Sequence, residues 1–373
     1  MSYGFLDRMA RASAARARAA KAREPLGALI RRARGRPAPP PLRLSPDGFD
    51  LIAEVKWRSP SAGPLAEIPP EDRRAAAAER ARRYASAGAA AVSVLTEPEA
   101  FGGGLDQLAA AAAAAGVPVM RKDFLVDPYQ VWEARAAGAG GVLLIARLLE
   151  GALLGEMLEA AREAGLFALV ECFDPDELDR VRGSAEAVRF PPAPASPAAK
   201  AGPDGGPERP FRSLAGPAPR PETTPDAGER AEADLGRPGG AIPRAGGPVP
   251  RIVPRRSRSR GNPRRADPED NSRLPERFAG LFPLWGINAR DLATLRCRGG
   301  VFEAAIARFP AGAVRVAESA IGSAADAARV ARLGYDAALV GTALMRAPDP
   351  ERLIEEMLAA GRAARRNRGC TSG

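Results

Sequence analysis

Residues 51–60 read Leu-Ile-Ala-Glu-Val-Lys-Trp-Arg-Ser-Pro, and the interpretation of the whole chain starts from this stretch. Its apolar run is preceded by Asp50 and followed by a Ser, Pro and Gly segment, which is the pattern of a buried strand that ends in a loop. Side chains two residues apart on a strand point the same way, so Glu54 and Lys56 project together from its carboxyl end. Parallel sheets carry their chemistry at that end, although an ordinary ion pair would use the same two residues.

The composition excludes several kinds of chemistry. The 373-residue chain contains no histidine, so a histidine-dependent triad and a histidine-ligated metal site are excluded. Proton transfer then falls to Glu, Asp, Lys, Tyr or Cys. The cysteines Cys172, Cys297 and Cys370 are scattered and odd in number, which fits neither a disulfide framework nor a metal cluster. We therefore expect a cytoplasmic protein, no metal and, because no apolar run approaches about 20 residues, no membrane contact.

The N-terminal region allows two interpretations. Residues 1–36 are rich in Ala and Arg and poor in acids, as a mitochondrial transit peptide would be. Their apolar residues nevertheless suit helices that dock on a core: Phe5, Leu6, Met9, Leu26, Leu29 and Ile30. We favour the second interpretation and predict one or two helices over 5–34, with Pro25 near the start of the second.

From residue 51 onward, short apolar runs alternate with longer alanine-rich segments. The runs predict the strand at Leu51 and further strands at 89–95, 117–120, 141–145, 166–170, 284–288, 314–318 and 337–341. The segments between them predict helices at 71–87, 105–115, 128–137, 150–164, 302–308, 323–333 and 349–365. Glycine follows most of these helices directly, as is typical of helix ends.

This alternation predicts the fold class. Strands that are apolar throughout and separated by helices indicate parallel βαβ units buried on both faces. Eight such units predict an α/β protein, a (β/α)8 TIM barrel with extra N-terminal helices. A doubly wound open sheet is the alternative, but no Gly-x-Gly-x-x-Gly fingerprint follows the first strand.

The alternation is interrupted between the fifth and sixth units. Residues 190–282 are dominated by Pro, Gly, Ala, Ser and Arg, which supply too little apolar side chain to offset the entropy of ordering, so we predict a disordered, low-complexity insertion. The expected organisation is N-terminal helices and barrel units 1–5 over 1–189, the insertion over 190–282, units 6–8 over 283–366, and a tail over 367–373. A tolerated surface insertion and a misread stretch of coding sequence would look alike, and both remain open.

The insertion also suggests a second function. Its basic patch at 251–265 could contact nucleic acid or an acidic partner, and a catalytically impaired barrel with such an insert is our alternative hypothesis. Acids are interspersed in the insertion and no aromatic residues are interleaved with the patch, so a solvated linker is favoured over nucleic-acid contact. The sequence does not define the oligomeric state.

Polar residues recur at the predicted strand ends. They are Glu54 and Lys56 at the first strand, Lys122 at the third, Glu171 at the fifth, Asn288 and Arg290 at the sixth, and Glu318 and Ser319 at the seventh. Any one of them could belong to a structural ion pair, but a closed barrel would bring all of them to one mouth. Three carboxylates and two amines there would shift one another's pKa, and a lysine desolvated beside another cation is expected to have a lowered pKa.

A phosphate site is expected at the eighth strand. Gly341 and Thr342 open a loop near a helix start, where backbone N–H groups are exposed. We therefore expect a small phosphorylated substrate.

Six segments, in the same order, resemble the indole-3-glycerol-phosphate synthases of tryptophan biosynthesis. They are Ile-Ala-Glu-Val-Lys at 52–56 with Ser-Pro-Ser at 59–61; Leu-Thr-Glu-Pro at 95–98 with Phe101 and Gly103; Arg-Lys-Asp-Phe at 121–124 with Asp-Pro-Tyr-Gln at 127–130; Val-Glu at 170–171; Gly-Ile-Asn-Ala-Arg-Asp-Leu at 286–292; and Val-Ala-Glu-Ser at 316–319 with Leu-Val-Gly at 339–341 and Leu-Met-Arg at 344–346. The resemblance covers nearly all of the chain outside 190–282. It implies a carbon–carbon lyase that needs no cofactor and closes the ring of 1-(2-carboxyphenylamino)-1-deoxyribulose 5-phosphate with loss of CO₂ and water.

The resemblance also implies residue roles. Lys122 corresponds to the general acid at the ribulose carbonyl, Lys56 to the residue that holds the anthranilate carboxylate, and Glu171 to the acid/base residue of the dehydration. Glu54, Asn288 and Glu318 correspond to residues that bind hydroxyls and orient the lysines. The implied phosphate and hydroxyl contacts are Ser59, Arg290, Ser319, Gly341 and Thr342. The implied apolar slot for the aromatic ring is formed by Pro60, Phe101, Phe124, Leu143, Leu292 and Leu339.

The chain departs from the family pattern in two motifs. Ala320 stands where the family usually has the glycine of Glu-Ser-Gly-Ile, and Cys172-Phe173-Asp174 replaces a common Val-His-Asp. If the backbone at residue 320 has a positive φ, the Ala Cβ costs about 1 kcal/mol there. A phosphoribosyl isomerase of the same fold is a weaker alternative, because those enzymes usually use a Cys/Asp or Asp/Asp pair.

Overall fold

The computed structural model describes residues 4–45, 48–187, 283–291 and 294–369. Within these ranges, eight parallel strands form a closed barrel: β1 (Asp50–Val55), β2 (Ala91–Leu95), β3 (Val119–Lys122), β4 (Gly141–Ile145), β5 (Phe167–Cys172), β6 (Pro283–Asn288), β7 (Arg315–Glu318) and β8 (Ala337–Val340). Each strand pairs with its sequence neighbours, and β8 pairs with β1 through Leu339 opposite Ile52. The predicted (β/α)8 barrel is confirmed, and the open-sheet alternative is wrong.

The helices follow the predicted alternation. They are α1 (Phe5–Arg23), α2 (Leu26–Arg34), α3 (Arg73–Ser86), α4 (Leu105–Ala114), α5 (Pro128–Ala136), α6 (Leu153–Ala164), α7 (Pro175–Ala187), α8 (Val301–Ala305), α9 (Ala324–Leu333), α10 (Thr342–Arg346) and α11 (Pro350–Gly369). Among the described helices, none combines the length and the apolar composition that crossing a bilayer requires. Gly165 and Gly334 cap α6 and α9 with φ of 72° and 113°, a left-handed conformation that glycine adopts at little cost.

The core consists of two layers. Alternate strand residues fill the barrel interior, among them Ile52, Met120, Leu143, Leu169, Val316 and Leu339. The other strand residues pack outward against the helices, so β1 is buried at all six positions. Burial on both faces explains why the strands read as continuous apolar runs rather than as alternating patterns.

The N-terminal helices dock on the barrel. Helix α1 buries Met9, Ser13, Ala17 and Ala20, and α2 buries Leu29 and Ala33. Pro25 is the N-cap of α2. The predicted pair of helices over 5–34 is therefore confirmed.

Several local features differ from the predictions. Helices α7 and α10 were not predicted. Strand β3 begins at Val119 rather than at residue 117, because Pro118 has no N–H to donate to a ladder. Strand β5 extends to Cys172, which places Glu171 inside the strand. A small hairpin, Arg58–Ser59 with Gly63–Pro64, lies in the segment after β1. The predicted insertion at 190–282 lies outside the described residues.

Candidate active site

A pocket lies at the carboxyl ends of the barrel strands. It is lined by all six predicted catalytic residues: Glu54, Lys56, Lys122, Glu171, Asn288 and Glu318. It is also lined by ten of the eleven predicted binding residues: Ser59, Pro60, Phe101, Phe124, Leu143, Arg290, Ser319, Leu339, Gly341 and Thr342. The eleventh, Leu292, lies outside the described residues.

Lys122 stands at the centre of the charged group. Its Nζ lies 3.1 Å from Glu171 Oε2, 3.5 Å from Glu318 Oε2 and 4.0 Å from Glu54 Oε2. Each of the four residues lies at or next to the carboxyl end of a different strand, so barrel closure rather than local sequence brings them together. The second amine is adjacent, with Lys56 Nζ 2.5 Å from Glu54 Oε1.

The pKa of Lys122 moves in the direction opposite to our expectation. Burial lowers this pKa, but the carboxylates of Glu171, Glu318 and Glu54 together outweigh burial and raise it above its ordinary value. The expected lowering beside a second cation is therefore wrong, because Glu54 lies between the two amines and contacts both. The resting site holds Lys122 as a cation with its proton on Nζ.

Burial and a neighbouring carboxylate perturb Glu318. The residue is 1% exposed, and burial together with the neighbouring Glu171 raises its pKa well above the ordinary value. Lys122, whose Nζ lies 3.5 Å from Glu318 Oε2, opposes this shift without cancelling it. The direction of the shift favours the protonated form of this carboxyl group.

Glu54 shows the opposite behaviour. Burial raises its pKa, but Lys56 and Lys122 outweigh burial and the net shift is downward. Two glycines leave room for these acids: a Cβ on Gly341 would collide with Glu54 Oε1, and a Cβ on Gly286 would collide with Glu318 Oε1. The strand ends are therefore shaped around the carboxylates.

One wall of the pocket is apolar. The Phe101 and Phe124 rings lie 6.2 Å apart, and Phe5 from α1 meets Phe124 edge-on at 6.0 Å. Leu143 and Leu339 also line the pocket, and together with these rings they form an apolar slot. The sequence did not predict Phe5 as a lining residue, because Phe5 is far along the chain from any predicted strand end. Its apolar spacing predicted only that it belongs to a helix that docks on the core.

The opposite wall is polar. Ser59 and Ser61 hydroxyls lie 3.0 Å apart, and Arg290 Nη1 donates to Ser61 Oγ at 3.0 Å and to the Leu295 carbonyl at 2.9 Å. The Asn288 side-chain oxygen accepts the Arg290 backbone N–H at 2.9 Å. This bond fixes the orientation of the Asn288 amide group, which lines the pocket.

The far end of the pocket has an unusual backbone. Ser319 and Ala320 have φ of 66° and 54°, in the left-handed region that favours glycine. Gly341 is the N-cap of α10, and Thr342 and Ala343 also line the pocket. Ser319 and Ala320 line the pocket as well.

The fold and the pocket together define a (β/α)8-barrel protein with the charge arrangement of an acid–base enzyme. The family model described as indole-3-glycerol phosphate synthase matches residues 6–187 and 281–357. Proteins named indole-3-glycerol phosphate synthase are similar over most of the chain: that of Kineococcus radiotolerans is 32% identical across 84% of this chain and 77% of its own length. That of Mycobacterium avium is 32% identical across 87% of this chain and 83% of its own. This chain belongs to the indole-3-glycerol phosphate synthase family.

Similarity is higher over part of the chain. A protein of the same name from a Nocardioides species is 54% identical over 133 residues, which is 36% of this chain and 49% of that protein.

Proposed function

We propose that this chain catalyses the ring closure of 1-(2-carboxyphenylamino)-1-deoxyribulose 5-phosphate to indole-3-glycerol phosphate, a carboxy-lyase reaction of tryptophan biosynthesis. The observation that carries the proposal is the group of two amines and three carboxylates beside an aromatic-lined slot. The substrate has the matching parts, since it contains an aromatic ring, a carboxylate, a ketone and a phosphate.

In the first step the aryl carbon that bears the carboxylate attacks the ribulose carbonyl carbon. The carbonyl π electrons move to oxygen, which takes a proton from Lys122 Nζ. Lys122 enters the reaction charged, so that its Nζ carries the proton that the oxygen accepts. Lys56 neutralises the substrate carboxylate until CO₂ leaves and its bonding electrons restore the aromatic ring.

The second step removes water. The new hydroxyl leaves with a proton, and the adjacent carbon loses its own proton to form the indole double bond. Glu171, 3.1 Å from Lys122 Nζ, is the proposed acid/base residue for these transfers. Asn288 and Glu318 are proposed to hold the hydroxyls, and Glu54 to fix both lysines.

Phosphate is proposed to bind at the polar end of the pocket. The backbone at Ser319 and Ala320, the start of α10 at Thr342 and the guanidinium of Arg290 surround that end. Arg290 already contacts Ser61, so the hairpin after β1 would be held over the bound phosphate.

The test is a continuous assay for indole fluorescence with purified protein. We expect Lys122→Ala to lower kcat by about a thousandfold, the range of a lost general acid, without loss of the folded state. Arg82→Ala is the matched control, since Arg82 forms an exposed pair with Glu79 on α3 and should retain full turnover. Normal turnover in Lys122→Ala would remove the assigned role of Lys122, and an inactive unaltered protein would remove the proposed function.

The alternative function receives no support from family membership. The basic patch at 251–265 lies outside the described residues, and its contact with nucleic acid stays a hypothesis from sequence.

A further inference from the structure

Helix α1 contacts two buried carboxylates, those of Glu97 and Asp123, and Asp123 also lines the pocket. Arg16 Nη2 donates to Asp123 Oδ1 at 2.9 Å, and Arg16 Nη1 lies 3.8 Å from Glu97 Oε1. Both acidic side chains are 0% exposed, whereas that of Arg16 is 31% exposed. Buried carboxylates need a counter-charge, so Arg16 is bound to the barrel by a strong electrostatic requirement.

Each carboxylate fixes one of the loops that form the slot. We define the β2 loop as residues 96–104 and the β3 loop as residues 123–127. Glu97 accepts the backbone N–H groups of Glu99, Ala100 and Phe101 at 3.0, 2.6 and 3.2 Å, which closes the β2 loop around its carboxylate. In the β3 loop, Asp123 Oδ1 accepts the N–H of Phe124 at 2.8 Å.

The two loops share further contacts through the same acids. Thr96 Oγ1 donates to Asp123 Oδ2 at 2.8 Å, and Arg121 donates to that oxygen at 3.2 Å. Arg121 also pairs with Glu133 of α5 at 3.3 Å, so its charge is divided. Within the described residues, the ion pair to Glu97 comes from Arg16.

We propose that Arg16 is a positioning residue for the aromatic ring of the substrate, because it joins the carboxylates that hold the Phe101 and Phe124 loops. The expected effect of Arg16 on KM and kcat rests on the proposed function. Arg16 does not line the pocket. It acts through Glu97 and Asp123, and removing it leaves two buried acids less compensated and loosens both loops.

The distinguishing consequence separates the aromatic part of the ligand from its phosphate. The phosphate end at Ser319 and Thr342 follows strands β7 and β8, whereas the β3 loop continues directly from the strand that ends in Lys122. Loss of Arg16 should therefore weaken binding of a ligand that carries the anilino ring and leave binding of a simple phosphate ester unchanged.

The variants are Arg16→Ala, Arg16→Lys and, as matched control, Arg18→Ala, which removes an exposed arginine of the same helix. Two probes separate the ends of the pocket: the substrate with its ketone reduced to an alcohol, and glycerol phosphate. We expect Arg16→Ala to raise KM and the Kd of the reduced substrate about tenfold with kcat changed less than about threefold. The Kd of glycerol phosphate should stay unchanged, and Arg16→Lys should recover most of the loss.

Hydrogen exchange gives a readout that is independent of turnover. The amides of Ala100, Phe101 and Phe124 should exchange about tenfold faster in Arg16→Ala and at the normal rate in Arg18→Ala. If Arg16→Ala fails to fold, Arg16→Gln retains a donor without the charge and carries the same test.

Unchanged exchange at these amides overturns the proposal, and so does equal weakening of both probes, which would reveal general destabilisation. An unaltered protein without turnover overturns the proposed function only, since the exchange and binding measurements still decide the role of Arg16.

Discussion

Glu318 and Glu54 show how one pocket gives the same residue type two opposite properties. Both are buried beside Lys122, but Glu318 adjoins a second carboxylate whereas Glu54 adjoins a second amine. Burial and Glu171 raise the pKa of Glu318, and Lys56 with Lys122 lower the pKa of Glu54. The balance of the neighbouring charges decides the direction of the pKa shift, since burial acts the same way on both residues.

These shifts predict opposite effects of pH on stability. The raised pKa of Glu318 means that the native state binds its proton more tightly than the unfolded state, so stability falls as pH rises above about 4.5. The Glu318→Gln variant has no such titrating group and does not lose this stability. Its free energy of unfolding, relative to that of the unaltered protein, should therefore increase above that pH by at most about 1.4 kcal/mol per pH unit. Urea unfolding between pH 4.5 and 8 measures this difference.

Glu54→Gln is the matched control with the reverse sign. In the unaltered protein, the lowered pKa of Glu54 contributes stability that is present above the pKa of this group in the unfolded state and is lost as pH falls through its pKa in the native state. The variant should therefore be less stable than the unaltered protein at neutral pH and approach it in acid. Parallel pH curves for the two variants would contradict both assignments.

Ala320 is predicted to be a mild defect of the phosphate end. At its φ of 54°, a residue with a Cβ is less stable than glycine by about 1 kcal/mol. Replacing Ala320 with glycine removes this strain, but the larger conformational entropy of glycine in the unfolded state offsets part of the gain. We expect Ala320→Gly to raise the free energy of unfolding by about 0.5 kcal/mol and to lower KM a few-fold. Ala343→Gly, in helix α10 of the same pocket, should instead destabilise by about 1 kcal/mol. Equal destabilisation by both changes would refute the strain at residue 320.

At the residue scale, the sequence could predict the polar members of the site but not their electrostatics. Glu54, Lys122 and Glu171 follow apolar runs, and a polar residue at the end of such a run can be recognised from the sequence. The pKa of Lys122 depends on distances to residues up to 196 positions away, which no local pattern contains. Phe5 reaches the slot only because α1 folds back on the barrel.

The strands provide the precise spacing that the site requires, and β6 illustrates this. Gly286 lies opposite Val316 in β7, and a Cβ there would collide with the Glu318 carboxylate. We expect Gly286→Ala to lower kcat about a hundredfold, since a displacement of about 1 Å at catalytic groups has effects of that size. The fluorescence assay and thermal unfolding measure the two consequences separately.

The control for this change is Gly155→Ala in helix α6. A Cβ at Gly155 meets no heavy atom within 4 Å, so activity should be unchanged and stability should rise by about 0.5 to 1 kcal/mol. Full activity in Gly286→Ala would mean that Glu318 can move without consequence.

The strands were predictable in kind and order, whereas helices α7 and α10 and the ends of several elements were not. Apolar runs identified all eight strands, because strands buried on both faces cannot be polar. The start of β3 was misplaced because apolar character extends through Pro118, and the end of β5 was missed because Glu171 interrupts the run while the ladder continues to Cys172. The hairpin after β1 is too short for any periodicity to indicate.

At the scale of the whole molecule, barrel closure determines the site. Strand β8 pairs with β1, and this contact between residues nearly 300 positions apart brings Gly341 against Glu54. The alternation of eight apolar runs with helical segments could predict that the barrel closes. They could not show that α1 would join the pocket, since a helix that precedes the first unit has no position fixed by the repeat.

The final prediction concerns the 190–282 segment, which we propose to be dispensable. The described elements on either side, α7 and β6, complete the fifth and sixth units without it, and helix-to-strand connections in such folds are usually about 2 to 6 residues long. Replacing 190–282 with a six-residue Gly/Ser linker should keep kcat/KM within about threefold, because loop-closure entropy changes slowly with length. A second deletion that extends into β6 to residue 288 should abolish turnover and cooperative unfolding, because the barrel then lacks a strand and Asn288. Loss of activity in the first variant, with its fold intact, would show that the segment contributes to the site.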